Sequence, residues 1–501
     1  MLVIQGIIAD CPFLSVLFMK FIVKFFPEIT IKSKPVRKQF VKQLRDNLKK
    51  QLSVIDGAIH IRREWDHLVL YSESNDSQVR AQVIEVLCCT SGIAYSLDVL
   101  EYPLGDLQSI FDHTLLLWKE RLAGKTFVVR CKRSGKHEYK SIDIERYVGG
   151  GLLQHTQATG VKLRNPDVTV SLEVRDETLY VVNERHDGLG GFPLGCVDPV
   201  LSLISGGFDS TVASFLTMKR GMRTHFCFFN LGGRDHEIGV KEVALYLWMK
   251  YGSTSRVKFV TVPFEGVVSE ILQNIDDSQM GVVLKRMMLR AGERVADRLN
   301  VEALVTGDCV AQVSSQTLQN MALIDSVTDT LVLRPLITSD KEDIIRLSKK
   351  IGTEDFAAAM PEYCGVISVK PTTRAKRDRV ENQEMKFDFS VLDDAIETAQ
   401  FVNIDELANQ ELQVHDVEVL NVPIHNGVII DVRHPTEEER KPLSVSGATI
   451  AKIPFYQLHG KYAELDQSKS YLLYCDKGVM SKLHASHLVE QGYSNVKVYR
   501  P

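Results

Sequence analysis

The sequence predicts a multidomain α/β protein, and three observations lead to that prediction. At 501 residues, the chain is long enough for about three to five domains of typical size. Its 44% hydrophobic and 25% charged content is ordinary for a folded protein and fits disordered, collagen and coiled-coil classes poorly. Residues 199–355 alternate short apolar runs with helical patterns, which is typical of a parallel sheet covered by helices.

The N-terminal part contains two small units in succession. Within residues 19–79, FIVKFF predicts a strand, Lys34 to Leu52 a basic helix, and AIHIRREWDHLVLYS a hairpin. Within residues 80–185, VRAQVIEVLCCTSG predicts a helix, TFVVRCKR a strand and SIDIERYVGGGLLQHTQ a helix interrupted by glycines. DVTVSLEVRDETLYVV predicts a hairpin that turns at residues 175–177.

The C-terminal part begins with a unit at residues 199–374. Its runs PVLSLIS, RTHFCFFNLGG, RVKFVTVPF and VEALVTGD predict four strands, with helices between them. Residues 375–417 are polar and partly acidic, and we expect a linker that carries some helix. A small α/β unit follows at 418–501, where VIIDVRHP and SYLLYC predict strands.

Charge and cysteine content limit the compartment and the partners. The net charge of −4 is balanced, but residues 19–50 hold ten Lys/Arg and two acidic residues, which indicates a polyanion partner. Nine cysteines without a CxxC pair fit neither a disulfide scaffold nor the usual structural zinc spacing, so we expect no protein metal site. A reducing, cytoplasmic location follows. After residue 18, no stretch of about 18 clean apolar residues predicts a membrane span.

The first 18 residues are apolar but do not resemble a secretory signal. They have no basic leading region, and Asp10 and Pro12 interrupt them. Met19 opens a better patterned segment. We therefore expect residues 1–18 to be an upstream extension, with an additional strand as the alternative.

The most specific motif is SGGFDS at residues 205–210, between a predicted strand and a predicted helix. A glycine-rich turn at that point lets backbone N–H groups and the helix N-terminus hold a phosphate. It is not a Walker A loop, which needs a Lys before the Ser or Thr. The predicted phosphate-binding residues are Ser205, Gly206, Gly207, Asp209 and Ser210. Residues 149–151 (GGG) have neither a Lys nor a preceding strand, so we expect a structural role for them.

Two cysteines are candidate reactive groups. Cys475 opens the loop CDKGVMS between a strand and a helix, where loop N–H groups and the helix N-terminus favour the thiolate, as would Lys477. Cys364 lies in the loop MPEYCG, and from the residues alone an accessible thiol and a core cysteine remain open. Cys309 is close to Gly307 after a predicted strand; we assign it no role.

A basic cluster within residues 130–140 adds to the basic segment 19–50. Its members are Arg130, Lys132, Arg133, Lys136, His137 and Lys140. Two basic runs in neighbouring units predict an RNA surface, with a solvated charged face as the alternative. Few aromatic residues stand among the charges, which favours recognition of backbone and shape over base stacking.

Taken together, these motifs closely resemble the tRNA 4-thiouridine synthetase (ThiI) family of the rhodanese-fused bacterial type. From Met19 to Pro501 the segments FPEITIKS, RYVGGG, NPDVTV, SGGFDS, FFNLGG, KRMM, QVSSQT, PEYCGV and CDKGVMS follow the family's order. The resemblance implies a ferredoxin-like domain at 19–79, a THUMP RNA-binding domain at 80–185, a Rossmann-like PP-loop ATP pyrophosphatase domain at 199–374 and a rhodanese domain at 418–501.

The resemblance also implies an ATP-dependent tRNA sulfurtransferase that adenylates O4 of uridine 8 and replaces it with sulfur. The family's ATP contacts fall on Leu203, Ile204, Lys285, Gly307 and Gln316. Asp209 and Lys341 match positions linked to adenylation, and Mg²⁺ is expected on the phosphates.

The implied sulfur route runs through a persulfide on Cys475, loaded by a cysteine desulfurase. Cys364 matches the cysteine that pairs with Cys475 in a disulfide during turnover. The implied partners also include tRNA and a sulfur-carrier protein for the thiazole of thiamine, and family THUMP enzymes often form homodimers.

Three alternatives remain open at this point. One is another PP-loop enzyme, such as an amidotransferase-type or lysidine synthetase, although no glutaminase signature is visible. A second is a non-catalytic RNA-binding scaffold with degenerate enzyme domains. A third is a rhodanese unit that serves only thiamine sulfur traffic.

Overall fold

A computed structural model describes residues 19–74, 76–231, 234–360, 371–407, 417–424, 427–433, 435–476 and 478–501. The chain divides into two compact units between Pro193 and Leu194. Residues 1–18, expected to be an upstream extension, lie outside the described part.

The described residues of the first unit form five helices and eight strands. In chain order these are β1 (Met19–Phe25), α1 (Pro27–Thr30), α2 (Lys34–Leu52), β2 (His60–Arg63), β3 (His67–Ser72), α3 (Ser77–Cys89), β4 (Ile93–Pro103), α4 (Leu107–Trp118), β5 (Thr126–Ser134), α5 (Ser141–His155), β6 (Gly160–Val161), β7 (Val168–Arg175) and β8 (Thr178–Asp187).

These strands make one sheet in the order β2-β3-β1-β4-β8-β7-β5-β6. Both predicted hairpins are present: β2 pairs antiparallel with β3, and β7 pairs antiparallel with β8 across a turn at Asp176 (φ 48°). The apolar pattern of the sequence did not predict strand β4 or helix α4. Asp98 and Glu101 interrupt the apolar pattern of β4, yet β4 lies between β1 and β8, where Arg80 neutralises buried Asp98. The predicted boundary at 79/80 falls inside α3.

Helix α5 runs without interruption through its three glycines, so the predicted break is absent. A Cβ at Gly151 would lie 2.5 Å from Cε2 of Phe111 in α4, whereas one at Gly150 would have nothing within 4 Å. Gly151 therefore lets α4 and α5 approach closely, which gives the motif a packing role.

The second unit contains two further sheets. Its elements are β9 (Val197–Leu203), α6 (Phe208–Lys219), β10 (Met222–Asn230), α7 (Arg234–Leu247) with a π-helical turn (Trp248–Gly252), β11 (Lys258–Pro263), α8 (Glu265–Asn274), α9 (Met280–Leu299), β12 (Ala303–Val305), a 3₁₀ turn (Ser314–Gln316), α10 (Leu318–Asp325), β13 (Leu331–Leu333), α11 (Lys341–Ile351), α12 (Glu354–Ala359), α13 (Arg377–Glu384), α14 (Phe389–Glu397), β14 (Gln400–Asn403), a 3₁₀ turn (Ile404–Glu406), β15 (Val419–Leu420), β16 (Val428–Asp431), α15 (Pro435–Arg440), β17 (Thr449–Lys452), α16 (Phe455–Tyr462), β18 (Tyr471–Tyr474), α17 (Val479–Glu490) and β19 (Val496–Tyr499).

The larger sheet has the order β13-β12-β9-β10-β11-β14. The four predicted strands β9, β10, β11 and β12 pair in parallel, and this part of the fold prediction is confirmed. Because β9 and β12 are neighbours, the loops that follow their carboxyl ends lie side by side. That edge of the sheet positions the candidate site.

Most of the expected linker packs onto this sheet. Strand β14 pairs antiparallel with β11, and Val380, Phe387, Leu392 and Ile396 belong to the buried core around α9. The buried Arg286 of α9 also pairs with Glu384. The acidic composition masked these helically spaced apolar positions, and only residues 408–416 of the expected linker lie outside the described part.

The smaller sheet, at residues 419–499, is entirely parallel in the order β15-β19-β18-β16-β17. The two predicted strands, β16 and β18, are neighbours in this sheet and pair in parallel. Strand β18 ends at Tyr474, so Cys475 follows at the carboxyl edge of the sheet and precedes α17.

Candidate active site and RNA-binding surface

The predicted phosphate loop joins β9 to α6. Leu203 ends the strand, buried Ile204 donates its N–H to the carbonyl of Cys227, and the loop turns at Gly206 (φ 82°) before the helix begins at Phe208. The N–H of Ser205 donates to Oγ of Ser210 at 3.1 Å. No side chain of the described residues caps α6, so its first N–H groups can receive an anion.

Gly307 closes this loop from the side of β12. A Cβ at position 307 would lie 2.6 Å from both the carbonyl carbon of Asp209 and the nitrogen of Ser210. Only glycine allows the chain to approach the first turn of α6 so closely. The structure thus brings Gly307 against the phosphate loop, about 100 residues away in sequence.

The Asp209 carboxylate is held by two donors. Nζ of Lys341, the first residue of α11, lies 2.8 and 3.0 Å from its two oxygens, and Nε2 of Gln312 donates to Oδ2 at 2.8 Å. The side chains of Asp209 and Lys341 remain 25% and 45% exposed. The pair can therefore meet a ligand at the mouth of the loop.

Asp308 is a second carboxylate at the site. Its oxygens accept from Nζ of Lys285 at 2.8 Å and from Nε2 of Gln316 at 3.1 Å. Burial alone would raise its pKa, but the Lys285 ammonium and the hydrogen bonds hold the pKa of this carboxyl well below its usual range. Asp308 is therefore ionised across the physiological pH range.

Gln316 is 7% exposed, and its side-chain oxygen has no hydrogen-bond partner among the described residues. A buried amide oxygen without a donor is costly unless a ligand satisfies it. This oxygen fits a ligand N–H donor, such as the exocyclic amine of adenine.

The segment that carries Cys364 starts next to the phosphate loop. Residues 361–370 lie outside the described part, but Met360 is described. A Cβ at Gly206 would meet its Sδ and Cε at 2.9 Å. Met360 precedes Cys364 by four residues in the sequence.

Cys309 is 3% exposed, and its pKa is raised by burial and by the nearby Asp209 carboxylate. A thiol that stays protonated is a poor nucleophile.

The Cys475 thiol is buried, at 8% exposed, and lies at the N-terminus of α17. The backbone N–H of Ser481 donates to Sγ at 3.4 Å, and Oγ of Ser481 lies 3.4 Å from the same sulfur. Gly478 provides a left-handed residue (φ 69°) before the helix. Buried Arg433 braces the loop by pairing with Asp431 and Asp476. Lys477 lies outside the described residues.

The smaller α/β domain contacts the larger one near the phosphate loop. Helix α16 packs against α12, the helix that precedes Met360. Buried His484 of α17 lies 3.1 Å (Nε2 to Oε1) from buried Glu242 of α7.

The basic cluster lies around β5 and the following loop. Arg130, Lys132, Lys136 and Lys140 are exposed. Arg133 donates to the carbonyl of Gly135 and contacts Nδ1 of His137 at 2.8 Å. These contacts fix the orientation of part of the cluster before any partner binds.

An open groove of about 550 Å³ borders this cluster. It is lined by Lys136 and His137 together with Tyr139 and Tyr147. The sequence interpretation saw few aromatic residues among the charges, but α5 brings Tyr147 beside them. The carboxylates of Asp106, Glu138 and Glu177 line the same groove, so its walls carry charges of both signs beside the two tyrosine rings, and the exposed basic cluster itself is the surface suited to the nucleic-acid backbone.

Four supporting residues were missed: Asp308, Gln312, Ser481 and Arg433. Asp308, Gln312 and Ser481 each lie within a quoted motif or within four residues of one, so position next to a motif was the available signal. Arg433 lies in the VIIDVRHP run, where only the tertiary contact with Asp476 reveals its role. Across the described part of the chain, no helix is long and apolar enough to cross a membrane.

Sequence models of four families match consecutive parts of the chain. They are the ThiI ferredoxin-like domain at residues 20–96, the THUMP domain at 105–183, thiamine biosynthesis protein (ThiI) at 195–389 and the rhodanese-like domain at 416–500. The predicted four-domain α/β fold class is confirmed.

Curated relatives match over almost the whole chain. The tRNA sulfurtransferases of Saccharophagus degradans (strain 2-40) and Azotobacter vinelandii (strain DJ) are each 54% identical over 483 residues, covering 96% of this chain and 100% of each relative.

Two solved structures have the same fold over much of the chain. A 4-thiouridine synthetase, crystallised in complex with RNA and with bound ATP, matches with a TM-score of 0.65 and 26% identity over 77% of this chain and 99% of its own. PH1313 from Pyrococcus horikoshii matches with a TM-score of 0.50 and 20% identity, over 67% of this chain and 99% of its own, and supports the fold alone. Relatives and structures agree with the family predicted from the motifs: the chain belongs to the tRNA sulfurtransferase (ThiI) family of enzymes.

Proposed function

We propose that this enzyme converts uridine 8 of tRNA to 4-thiouridine, using ATP and a persulfide carried by Cys475. The observation that carries this proposal is the close approach of Met360 to Gly206, since it ties the start of the Cys364 segment to the phosphate loop. On this proposal, ATP chemistry and thiol chemistry meet at the phosphate loop.

In the first step, uridine O4 attacks the α-phosphorus of ATP, and pyrophosphate leaves. The open N-terminus of α6 would hold phosphate oxygens, and Lys285 and Lys341 would offset the charge that develops on pyrophosphate. Leu203 and Ile204 would act through their backbone at the strand end, and the side-chain oxygen of Gln316 would accept from the base.

Magnesium fits this loop as a phosphate-bound ion. The described residues contain no group of three His, Cys, Asp or Glu side chains that could hold a metal ion by themselves, and Mg²⁺ is commonly bound by one or two carboxylates plus substrate phosphates. Asp209 would provide the carboxylate, and the ion would supply charge neutralisation on the phosphates.

In the second step, the terminal sulfur of the Cys475 persulfide attacks C4, and AMP leaves. The Cys364 thiolate then attacks Sγ of Cys475, which breaks the S–S bond, releases 4-thiouridine and forms the Cys364–Cys475 disulfide. If Cys364 attacks first, sulfide is released and attacks C4 instead. Both routes end with the same disulfide, which a thiol reductant must reopen.

The environment of Cys475 supports a persulfide role. The Ser481 N–H and the N-terminus of α17 favour negative charge on sulfur. A cysteine desulfurase would load this sulfur in the cytoplasm. The THUMP region, with its basic cluster, would bind tRNA, and a homodimer would present two such surfaces.

A second role is favoured by one comparison. The family model that covers residues 195–389 is described as thiamine biosynthesis protein (ThiI). We propose that the Cys475 persulfide also donates sulfur to a sulfur-carrier protein for the thiazole of thiamine.

The test is a 4-thiouridine assay with purified protein, unmodified tRNA, Mg-ATP, cysteine and a cysteine desulfurase. The readout is the long-wavelength absorbance of the thiolated base. We expect product that disappears when ATP is omitted or when Cys475→Ala replaces the wild type. If persulfide forms on Cys475 without product, the enzyme is a sulfur carrier for another acceptor; turnover with no need for Cys475 would indicate a different PP-loop enzyme.

A further inference from the structure

Asp308 lies between two cations beside the phosphate loop. Its carboxylate pairs with Nζ of Lys285 at 2.8 Å and with Nε of Arg334 at 3.4 Å. The Asp308 side chain is 14% exposed. Oγ1 of Thr306 donates to its Oδ2 at 2.8 Å. A carboxylate with this many partners has little freedom to move.

Arg334 is itself anchored from the other side. Its two terminal nitrogens donate to both oxygens of Asp325 at 2.8 and 2.5 Å. This bidentate pair fixes the guanidinium plane. Arg334 therefore supports Asp308 from a rigid position, and Asp308 in turn determines where the Lys285 ammonium lies.

Lys285 needs such support more than most groups at the site. A lysine side chain has four rotatable bonds and a compact charge, so it loses much conformational freedom when fixed in one position. Its side chain is 29% exposed. The ammonium has three N–H donors, so two remain for phosphate oxygens while one is held by Asp308.

We propose that Asp308 is a positioning residue for ATP activation, which holds Lys285 in the orientation that stabilises the leaving pyrophosphate. The inference rests on the proposed function, because Lys285 must contact ATP. The structural observation behind it is the close approach of Gly307 to Asp209, which brings the neighbouring Asp308 beside the phosphate loop.

The first test compares Asp308→Asn with wild type in ATP-dependent adenylation of tRNA. We expect kcat to fall about 10- to 100-fold, because misplaced charge stabilisation acts mainly in the transition state. The KM for ATP should change less than about threefold. Asp308→Glu should recover part of kcat, since it keeps the charge.

A double-mutant cycle with Lys285→Ala separates positioning from a general structural effect. If Asp308 acts through Lys285, adding Asp308→Asn to Lys285→Ala should lower kcat by less than about twofold. A further loss equal to that in the wild-type background would overturn the proposal. So would a change confined to KM.

Asp393→Asn is the matched control. Asp393 pairs with Arg294, which lies on the same helix as Lys285 but farther along that helix from the site. It should leave adenylation unchanged.

If Asp308→Asn does not fold, Thr306→Val removes one hydrogen bond to Asp308 and should lower kcat about threefold; an unchanged kcat would overturn the proposal. Wild-type protein without ATP-dependent adenylation would instead refute the proposed function.

Discussion

Asp209 and Cys475 carry the two halves of the proposed reaction, and separate neighbours hold each of them. Lys341 and Gln312 fix the Asp209 carboxylate at the phosphate loop, whereas Ser481 contacts the Cys475 sulfur at a helix N-terminus. Because the two sets of contacts share no residue, the two half-reactions should be separable by mutation.

Cys475→Ala should lower 4-thiouridine formation at least ~10²-fold and leave adenylation nearly intact, since the sulfur-bearing atom is lost. Asp209→Ala should do the reverse, removing adenylation and sparing persulfide formation. Pyrophosphate release and labelled persulfide measure the two activities. Cys196→Ala serves as a control for loss of a thiol elsewhere. If both variants lose both activities, the two-site assignment is wrong.

Among the secondary-structure elements, helix α5 shows how a glycine motif can serve packing. Its neighbours α4 and β5 meet different glycines: Gly151 faces Phe111, and Gly149 lies near Val129. Gly150 is exposed and faces open space. A Gly→Ala substitution should therefore change the stability of the first unit in opposite directions at these two adjacent positions.

Gly151→Ala should destabilise the first unit by about 1–3 kcal/mol, because the new Cβ overlaps the Phe111 ring. Gly150→Ala should stabilise it by about 0.5–1 kcal/mol, because alanine is the better helix former. Calorimetric unfolding of the full chain measures both. Equal shifts in the two variants would show that the close approach to Phe111 does not govern packing.

For the molecule as a whole, the proposed RNA surface and the contact between the two α/β domains depend on groups from several elements. On the first unit, β5, the loop that follows it and α5 contribute to the basic cluster and the groove. In the second unit, Glu242 and His484 join the two α/β domains.

Neutralising Lys132, Arg133 and Lys136 together should weaken tRNA binding. The slope of log affinity against log salt should become shallower by about one for each phosphate that the variant no longer neutralises. Filter binding over a range of salt concentrations measures both the affinity and the slope. Neutralising Lys461, Lys469 and Lys497 in the rhodanese domain is the charge-matched control. Unchanged affinity in the first variant would remove this surface from the binding site.

The contact between the two α/β domains should depend on pH through Glu242. Burial raises the pKa of Glu242 to about 8 from an ordinary value of 4.5, so the folded state retains a proton that the unfolded state releases. The contribution of Glu242 to the free energy of unfolding is therefore complete below about pH 4.5. It falls as the pH rises and is lost once the pH has passed about 8.

Glu242→Gln cannot ionise and should flatten this slope in calorimetric unfolding of the full chain between about pH 5 and 9. The exposed Glu265→Gln is the control. A slope that persists in Glu242→Gln would assign the pH dependence to another group.

The sequence by itself determined the fold class, the parallel strands of the larger sheet and the positions of the two candidate loops. These follow from local rules: apolar periodicity, glycine turns, and the position of a loop between a strand and a helix. It therefore located the 205–210 loop and Cys475 correctly at the ends of strands β9 and β18.

Only the tertiary structure decided which charges meet. Lys341 reaches Asp209 across 132 residues, and Asp308 lies between Lys285 and Arg334, which are 23 and 26 residues away. It also placed residues 371–407 in the larger domain and set Tyr147 beside the basic cluster. Such contacts depend on which strands become neighbours in a sheet, and that order is fixed by the packing of the whole core rather than by any local pattern.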